Sequence, residues 1–329
     1  MRRREFIGLI GGAAAAWPIA GRAQQSERKR RVGVLMGLAE DDPQAQDRIM
    51  AFEHGLQQLG WTTGRNLQID YRRGGGDTDL TKKYAAELVA LEPDVILASG
   101  GSVVGALLQA TRTLPIVFAQ TPDPVAAGFV ASLARPGGNA TGFTTSEYGI
   151  SAKWLELLKE IAPTVTRAAV LRDPTIASGI GQFSSIQSVA PAFGVELSPI
   201  DLRNESEIER GIASFARGSN GGLIVTSSSQ AAVHRQTIIT LAAQYRLPAV
   251  YNYRYFTSSG GLISYGSDPI DQYRRAAGYV DRILRGEKPG DLPVQAPTMY
   301  ELAINLKTAK SLGLTVPPSL IARADEILE

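Results

Sequence analysis

The sequence predicts an α/β protein made of two lobes, each a doubly wound parallel sheet covered by helices. Short apolar runs alternate with amphipathic segments, and this alternation occurs twice, over residues 32–119 and again over residues 154–284. The runs are apolar almost throughout, which is typical of parallel strands buried on both faces. The chain has 329 residues, of which 44% are hydrophobic, so it is long enough to form two cores.

The first series of elements is predicted to form the first lobe. Ile49, Phe52 and Leu56 recur at helical spacing, and Gly60 soon after them favours the end of a helix. Further segments with apolar residues at helical spacing follow along the chain, and short apolar runs lie between them. We predict strands at residues 32–36, 67–71, 94–98 and 115–119, and helices at residues 49–59, 80–91 and from the end of the 99–102 loop to residue 111.

The pattern restarts after Gly142 and is predicted to form the second lobe. Its apolar runs have the same length as those of the first series, and its helical stripes lie between them. We predict strands at residues 167–171, 195–200, 222–226, 249–251 and 261–265, and helices at residues 154–161, 180–193, 208–215, 231–245 and 270–284.

The first 23 residues are predicted to be a secretory signal peptide. Three consecutive arginines precede an apolar run over residues 6–20, which is too short and too rich in Gly and Ala to span a membrane. Small residues at Gly21 and Ala23 suit a signal peptidase, so we expect cleavage after about Ala23. The segment RREFI at residues 3–7 resembles a twin-arginine signal, although an ordinary Sec signal explains the same features.

The charge balance and the cysteine count limit the possible functions. The full chain has 34 Lys and Arg and 32 Asp and Glu; residues 1–23 hold four arginines and one glutamate, which leaves 30 basic and 31 acidic residues. This balance gives no reason to expect a nucleic-acid partner. The chain has no cysteine, which excludes disulfides, a thiol nucleophile and a lipid-anchored cysteine. We therefore expect a monomer that is free in the periplasm.

Small polar residues follow the predicted strands of both lobes. Ligands of doubly wound sheets bind beyond the carboxyl ends of the strands, where loops meet helix N-termini. The loop at residues 99–102 is a candidate anion seat, because its glycines allow close backbone approach at the start of a helix. The predicted ligand-binding residues are Leu38, Ser99, Gly100, Gly101, Ser102, Gln120, Thr121, Asp123, Asp173, Thr226, Ser227, Ser228, Tyr251 and Tyr253.

Residue patterns typical of catalysis or metal binding are largely missing from the sequence. The two histidines, His54 and His234, each lie within a predicted helix, away from the loops described above. No acidic or histidine cluster has the spacing of a metal site, and neither a nucleophile elbow nor a Walker A loop occurs. We therefore expect neither a catalytic residue nor a metal or other cofactor.

Three stretches of the sequence resemble a known family. Together they are similar to the ABC transporter substrate-binding family, whose best-understood members bind tryptophan and tyrosine, and the resemblance covers essentially the whole chain after the signal peptide. They are residues 114–119 (LPIVFA) with 123–142 (DPVAAGFVASLARPGGNATG); residues 260–266 (GGLISYG) with 284–289 (LRGEKP); and residues 291–294 (DLPV) with 300–314 (YELAINLKTAKSLGL) and 317–326 (PPSLIARADE).

The resemblance implies the type I periplasmic-binding-protein fold, in which three crossovers form a hinge between the lobes. The first lobe would then comprise residues 28–144 and 267–290, and the second residues 145–266 and 291–329. Gly and Pro residues near these boundaries suit segments that change torsion angle when the lobes close.

The resemblance also implies a small-molecule solute and an ABC permease of the inner membrane as partners. It places the ligand's carboxylate near Ser99–Ser102 and an aromatic wall at Tyr251 or Tyr253. Two alternatives stay open at this stage. One is a periplasmic ligand sensor that docks on a receptor; the other is an enzyme on the same scaffold, for which Asp123 and Asp173 are the obvious loop carboxylates.

Overall fold

A computed structural model describes residues 29–329, so the predicted signal peptide lies outside the described residues. The described chain forms two α/β lobes, which confirms the predicted fold class. Within residues 29–329 none of the helices has the length and apolar character needed to cross a membrane.

The first lobe is a parallel sheet of five strands in the order β2–β1–β3–β4–β5. The strand ends at its carboxyl edge are Met36, Arg73, Ser99, Thr121 and Thr144. Its elements, in chain order, are β1 (Arg30–Met36), α1 (Pro43–Gln58), β2 (Leu67–Arg73), α2 (Thr78–Ala90), β3 (Val95–Ser99), α3 (Gly101–Ala110), β4 (Ile116–Thr121) and β5 (Ala140–Thr144).

The second lobe begins with a short 3-10 helix at Tyr148–Ser151 and continues as alternating helices and strands. These are α4 (Ala152–Ile161), β6 (Arg167–Arg172), α5 (Ala177–Val189), β7 (Glu196–Asp201), α6 (Glu205–Phe215), β8 (Gly221–Val225), α7 (Ser229–Val233), α8 (Arg235–Gln244), β9 (Ala249–Tyr251), α9 (Arg254–Ser258) and β10 (Ile263–Gly266).

The end of the chain returns to the first lobe and then to the second. Helix α10 (Pro269–Leu284) packs on α1, and a 3-10 turn follows at Pro289–Asp291. The remaining elements are β11 (Glu301–Asn305), α11 (Leu306–Ser311), α12 (Pro318–Arg323) and β12 (Glu326–Leu328). The second sheet has the order β12–β11–β10–β9–β8–β6–β7, and β11 runs antiparallel to β10 while the other pairs are parallel.

Two predicted helices are interrupted in the structure. The helix expected at residues 231–245 is divided into α7 and α8 at His234, whose φ of −90° and ψ of 15° depart from helical values. The helix expected at residues 180–193 ends as α5 at Val189 and continues as a 3-10 turn that contains Pro191. A proline lacks the N–H that the next α-helical hydrogen bond would need, which explains the change of helix type.

The chain crosses between the lobes for the third time after Gln295. Before that point it adds to the edge of the first sheet: the Oγ1 hydroxyl of Thr141 donates to the Leu292 carbonyl at 2.5 Å, and the Thr144 N–H donates to the Gln295 carbonyl at 2.9 Å. Val294 is buried in the core of the same lobe. Residues 291–295 therefore pack on the first lobe, although the sequence-based boundary at residue 290 assigned them to the second.

Position 142, in β5, requires a glycine, both because of its backbone conformation and because a side chain would have no room there. Its φ is +152°, and a Cβ atom added there would lie 2.0 Å from the Phe118 carbonyl oxygen. We expect Gly142→Ala to lower the free energy of unfolding by at least about 2 kcal/mol, because backbone strain and a steric clash act together.

Thermal or urea unfolding followed by circular dichroism would measure this loss. Gly149→Ala is the matched control, since a Cβ atom there meets nothing within 4 Å and the backbone needs no left-handed angle. Equal unfolding midpoints for the two variants would contradict the structural role of Gly142.

Candidate functional site

The carboxyl ends of the two sheets face each other across a cleft, and the predicted loops meet there. A small cavity of about 40 Å³, called the inner cavity, lies between the lobes and is lined by residues of both. It has room for only a few water molecules. Nine of the predicted residues line it: Leu38, Ser99, Gly100, Gly101, Ser102, Gln120, Ser227, Ser228 and Tyr253.

A larger cavity of about 530 Å³, called the outer cavity, adjoins the inner one. Its volume is in the usual range for a small-molecule site. Phe129, Ala106 and Ala127 of the first lobe give part of its wall an apolar character, and Asp173 is the further predicted residue that lines it. Gly101, Ser102, Pro122, Ile176, Ser178 and Ser229 line both cavities, so the two share part of their walls.

Four predicted residues lie outside the lining of either cavity. Thr226 is buried and its hydroxyl donates to the Leu171 carbonyl at 2.9 Å. The Thr121 hydroxyl is also buried and lies 3.4 Å from the Ala119 carbonyl. These two hydroxyl groups hydrogen-bond to backbone carbonyl groups close to the strand ends. The sequence alone does not distinguish this role from contact with a ligand.

The other two are Asp123 and Tyr251. The Asp123 carboxylate accepts hydrogen bonds from the backbone N–H groups of Ala126 at 3.0 Å and Tyr148 at 3.3 Å. The Tyr251 ring is fully buried and stacks on Phe256, with 4.9 Å between ring centroids. Tyr251 is thus part of the core of the second lobe, and Tyr253, two residues on, reaches the cleft instead.

Arg48 is the main feature of the site that the sequence did not indicate. It lies in the middle of α1, lines the inner cavity and is only 4% exposed. Its guanidinium carbon is 5.9 Å from the ring centroid of Tyr255 and 6.0 Å from that of Tyr273, and its Nε atom has no hydrogen-bond partner among the described residues. An arginine in an amphipathic helix is usually exposed, so only the tertiary structure reveals its position.

Tyr253 and Tyr255 form one wall of the inner cavity, and Tyr273 contacts Ser99 of its lining. Tyr253 and Tyr255 stack with ring centroids 5.5 Å apart, and the hydroxyl of Tyr273 hydrogen-bonds the hydroxyl of Ser99. Burial raises the pKa of Tyr253 and Tyr273, and the nearby Arg48 cation acts against that increase. These phenols are therefore neutral near pH 7 and can donate or accept hydrogen bonds.

Two helix N-termini from opposite lobes meet at the cleft, and neither has a side-chain cap. Helix α3 begins after Gly100, whose φ is +96°, and α5 begins after Ile176. By contrast, α1 and α10 are capped by the carboxylates of Asp42 and Asp268. The uncapped N–H groups and the helix dipoles make this end of each helix favourable for negative charge.

Direct contacts join the lobes around the cleft. Arg235 of the second lobe forms an ion pair with Asp42 of the first, with Nη1 and Oδ2 2.7 Å apart. The Gln230 side-chain amide donates to the Gly76 carbonyl at 2.6 Å. A Cβ atom at Gly37 would lie 2.2 Å from the Ser229 hydroxyl. The two lobes are therefore in contact, and the cleft between them is closed.

The described residues offer no cluster of three or more His, Cys, Asp or Glu side chains that could hold a metal ion. The inner cavity is lined mainly by hydroxyl groups, glycines, tyrosines and one buried cation, and Lys82, Asp173 and Arg203 line the outer cavity. Such an arrangement can bind a small polar molecule through hydrogen bonds and charge, and it can contact the molecule from both lobes at once.

Two lobes that close on a cleft of this kind define a type I periplasmic-binding-protein fold. The model of the family described as ABC transporter substrate binding protein matches residues 32–328. The chain belongs to this family, which confirms the resemblance seen in the sequence. Members of the family bind a small-molecule solute and work with an ABC permease.

Individual relatives agree with this assignment. The tyrosine-binding protein of Clostridioides difficile (strain R20291) is 27% identical over 289 residues, which are 88% of this chain and 82% of that protein. The crystal structure of a conserved domain protein from Vibrio cholerae has a TM-score of 0.84 at 27% identity and covers 91% of this chain and 99% of that one.

A third relative is known with a ligand. The structure of an ABC domain from Streptococcus pneumonia in complex with L-Trp has a TM-score of 0.84 at 23% identity, and covers 91% of this chain and 100% of that one. At this level of identity the comparison establishes the shared fold.

The contact between Arg235 and Asp42 is expected to hold the cleft closed in the free protein. A partly buried ion pair contributes about 1 kcal/mol, so its loss changes the ratio of closed to open molecules by a factor of about five. Arg235→Gln should therefore increase the radius of gyration measured by small-angle X-ray scattering.

Arg323→Gln is the matched control for this measurement. It removes an ion pair with Glu160 that has a similar distance, 2.6 Å, but lies within the second lobe. Its radius of gyration should equal that of the unchanged protein. If Arg235→Gln also leaves the radius unchanged, the ion pair does not control closure.

Proposed function

We propose that the chain is the solute-binding component of an ABC importer, exported to the periplasm as a monomer. The observation that carries the proposal is the cleft itself, where hydroxyl groups and helix N-termini of both lobes surround two adjoining cavities. Family membership supports the same function. The solute is proposed to be a small polar or aromatic molecule.

Binding in this cleft would be coupled to closure. Ser99 and Ser102 belong to the first lobe, whereas Ser227, Ser228 and Tyr253 belong to the second. A solute that contacts both groups binds the closed form more tightly than the open form, and so increases the closed population. The permease would then distinguish loaded from empty protein by this change of shape.

The proposed role includes no catalytic step. Of the two loop carboxylates considered for an enzyme, Asp123 accepts backbone hydrogen bonds, and Asp173 accepts from the N–H and the hydroxyl of Thr175 at 2.9 Å and 2.6 Å. Both carboxylates thus stabilise turns. A general acid or base would instead need to be within hydrogen-bond reach of a substrate in the cleft.

Amino acids are the first solutes to test, because one relative is named a tyrosine-binding protein and another is solved with L-Trp. The stacked Tyr253 and Tyr255 rings suit a planar or aromatic group. A thermal-shift screen should therefore include amino acids, aromatic carboxylates and small sugars. A solute at 100 times its Kd should stabilise the protein by about 2.7 kcal/mol and raise Tm by several degrees.

A blocking substitution tests whether the solute occupies the proposed cleft. Ser102 lines both cavities, so Ser102→Leu should fill part of the shared space and weaken binding of any solute found in the screen at least tenfold. Ser188→Leu, at an exposed position of α5, is the control and should leave affinity unchanged. Unchanged affinity in Ser102→Leu would place the solute elsewhere.

Uptake measurements separate import from sensing. Deletion of the gene should abolish uptake of the radiolabelled solute if the protein feeds an importer. Normal uptake together with a lost transcriptional or chemotactic response would instead show a sensor.

A further inference from the structure

The inner cavity contains one charged side chain, and that charge is positive. Among its lining residues Arg48 is the sole ionisable group besides the tyrosines. It is buried, and its Nε atom lacks a partner among the described residues. A buried charge is costly unless it is paired, so an arginine in this position favours an anion in the cavity.

Carboxylates near the cleft make their direct contacts with groups other than Arg48, although, against the effect of burial, the negative charge of Asp42 helps to raise the pKa of Arg48. Asp42, at the start of the same helix, accepts from the Gln44 N–H at 2.8 Å and pairs with Arg235 at 2.7 Å. Asp173 lines the outer cavity and is engaged by Thr175. The guanidinium of Arg48 is therefore available for a negative charge on the solute.

The groups around Arg48 would complete a seat for a carboxylate. The uncapped N-terminus of α3 and the hydroxyl groups of Ser102, Ser227 and Ser228 line the same cavity. Charge-assisted hydrogen bonds from such donors are about twice as strong as neutral ones. At about 40 Å³ the inner cavity suits a group of this size, and the body of the solute must extend beyond it.

Part of the outer cavity is suited to an apolar body, although Lys82, Asp173 and Arg203 also line this cavity. Phe129, Ala106, Pro122 and Ile176 contribute to its wall, and Pro122 and Ile176 also line the inner cavity. A molecule with a carboxylate at one end and an aromatic or aliphatic group at the other would fill both spaces. This arrangement combines one charge interaction with burial of apolar surface.

We propose that the solute is an aromatic or aliphatic carboxylic acid without an α-ammonium group, and that its carboxylate pairs with Arg48. This inference rests on the proposed binding function. An α-ammonium group is one carbon atom away from the carboxylate, so it would enter the same positive region. None of the described residues lining the inner cavity carries a carboxylate to pair with it, and Asp173, which lines the outer cavity, already accepts two hydrogen bonds from Thr175. The desolvation of the ammonium group would therefore be poorly compensated.

The inferred solute differs from the ligands named for two relatives, tyrosine and L-Trp. Each of these amino acids has a carboxylate and an aromatic body that this cleft can accommodate. The difference is the ammonium group, and the inference predicts discrimination at that group alone.

Isothermal titration calorimetry with matched pairs tests the inference on the unchanged protein. The pairs are 3-phenylpropionate and L-phenylalanine, 3-(4-hydroxyphenyl)propionate and L-tyrosine, and indole-3-propionate and L-tryptophan. At least one propionate should bind ten times more tightly than its amino acid. The neutral 3-phenylpropanamide should bind at least ten times more weakly than 3-phenylpropionate, because it lacks the charge.

Arg48 variants test the pairing itself. Arg48→Gln should weaken the best-bound propionate at least tenfold and leave binding of the amide unchanged, whereas Arg48→Lys, which keeps the charge, should weaken the propionate less. Arg72→Gln is the control, because Arg72 pairs with Glu87 away from the cleft. If Arg48→Gln does not fold, the Lys variant and the comparison of acid with amide still decide the matter.

The outcomes separate the inference from the proposed function. If the amino acids bind as tightly as the propionates, or if sugars bind and carboxylates do not, the carboxylate inference is overturned while the binding function stands. Unchanged propionate affinity in a folded Arg48→Gln variant overturns it as well. If none of the amino acids, carboxylates and sugars of the thermal-shift screen binds, and none of the propionates binds, both the inference and the proposed function are wrong.

Discussion

The structure depends on the way that two parallel sheets present their carboxyl ends to each other. Parallel strands place their following loops on one edge, and the three chain crossings turn these edges face to face. Loops that would be separate surface features in isolated domains thereby share one cleft. The hydroxyls of Ser99 at the end of β3 and of Ser227 just after β8, 128 residues apart, line the same cavity for this reason.

The position of Arg48 is a consequence of the same arrangement. Helix α1, which carries it, packs against α10, a segment more than 200 residues later in the chain. The approach is close: a Cβ atom at Gly55 would lie 2.7 Å from the Cβ of Ala277. Tyr273 of α10 then covers Arg48 on one side and Tyr255 of the second lobe covers it on another. The helix contact therefore keeps this cation out of water and beside the cleft.

Apolar runs and turn residues were enough to predict the fold class and nine strands, because both are local signals. Strands β5, β11 and β12 were missed; β5 has the sequence ATGFT, which is also typical of a turn. For the site, strand ends identified the loops but not the orientation of each side chain. Thr226 and Tyr251 lie one and two residues before Ser227 and Tyr253, which line the cleft, and yet both face the protein interior. The burial of Arg48 beside the cleft depends on a long-range contact between helices, and no local sequence pattern predicts that contact.

The groups that would bind the charge of the solute and the groups that it would contact only after closure lie on opposite sides of the cleft. Arg48 and the N-terminus of α3 belong to the first lobe, whereas the hydroxyls of Ser227 and Ser228 belong to the second. An anion held by Arg48 in the open form would gain the second set of donors only when the lobes meet. Its differential affinity for the closed form would then come from hydrogen bonds that closure creates. The ion pair between Arg235 and Asp42 also joins the lobes, so part of the free energy of closure comes from the protein itself. The solute would thus adjust an equilibrium that already exists, and its effect on shape is limited to the free energy that the second lobe adds.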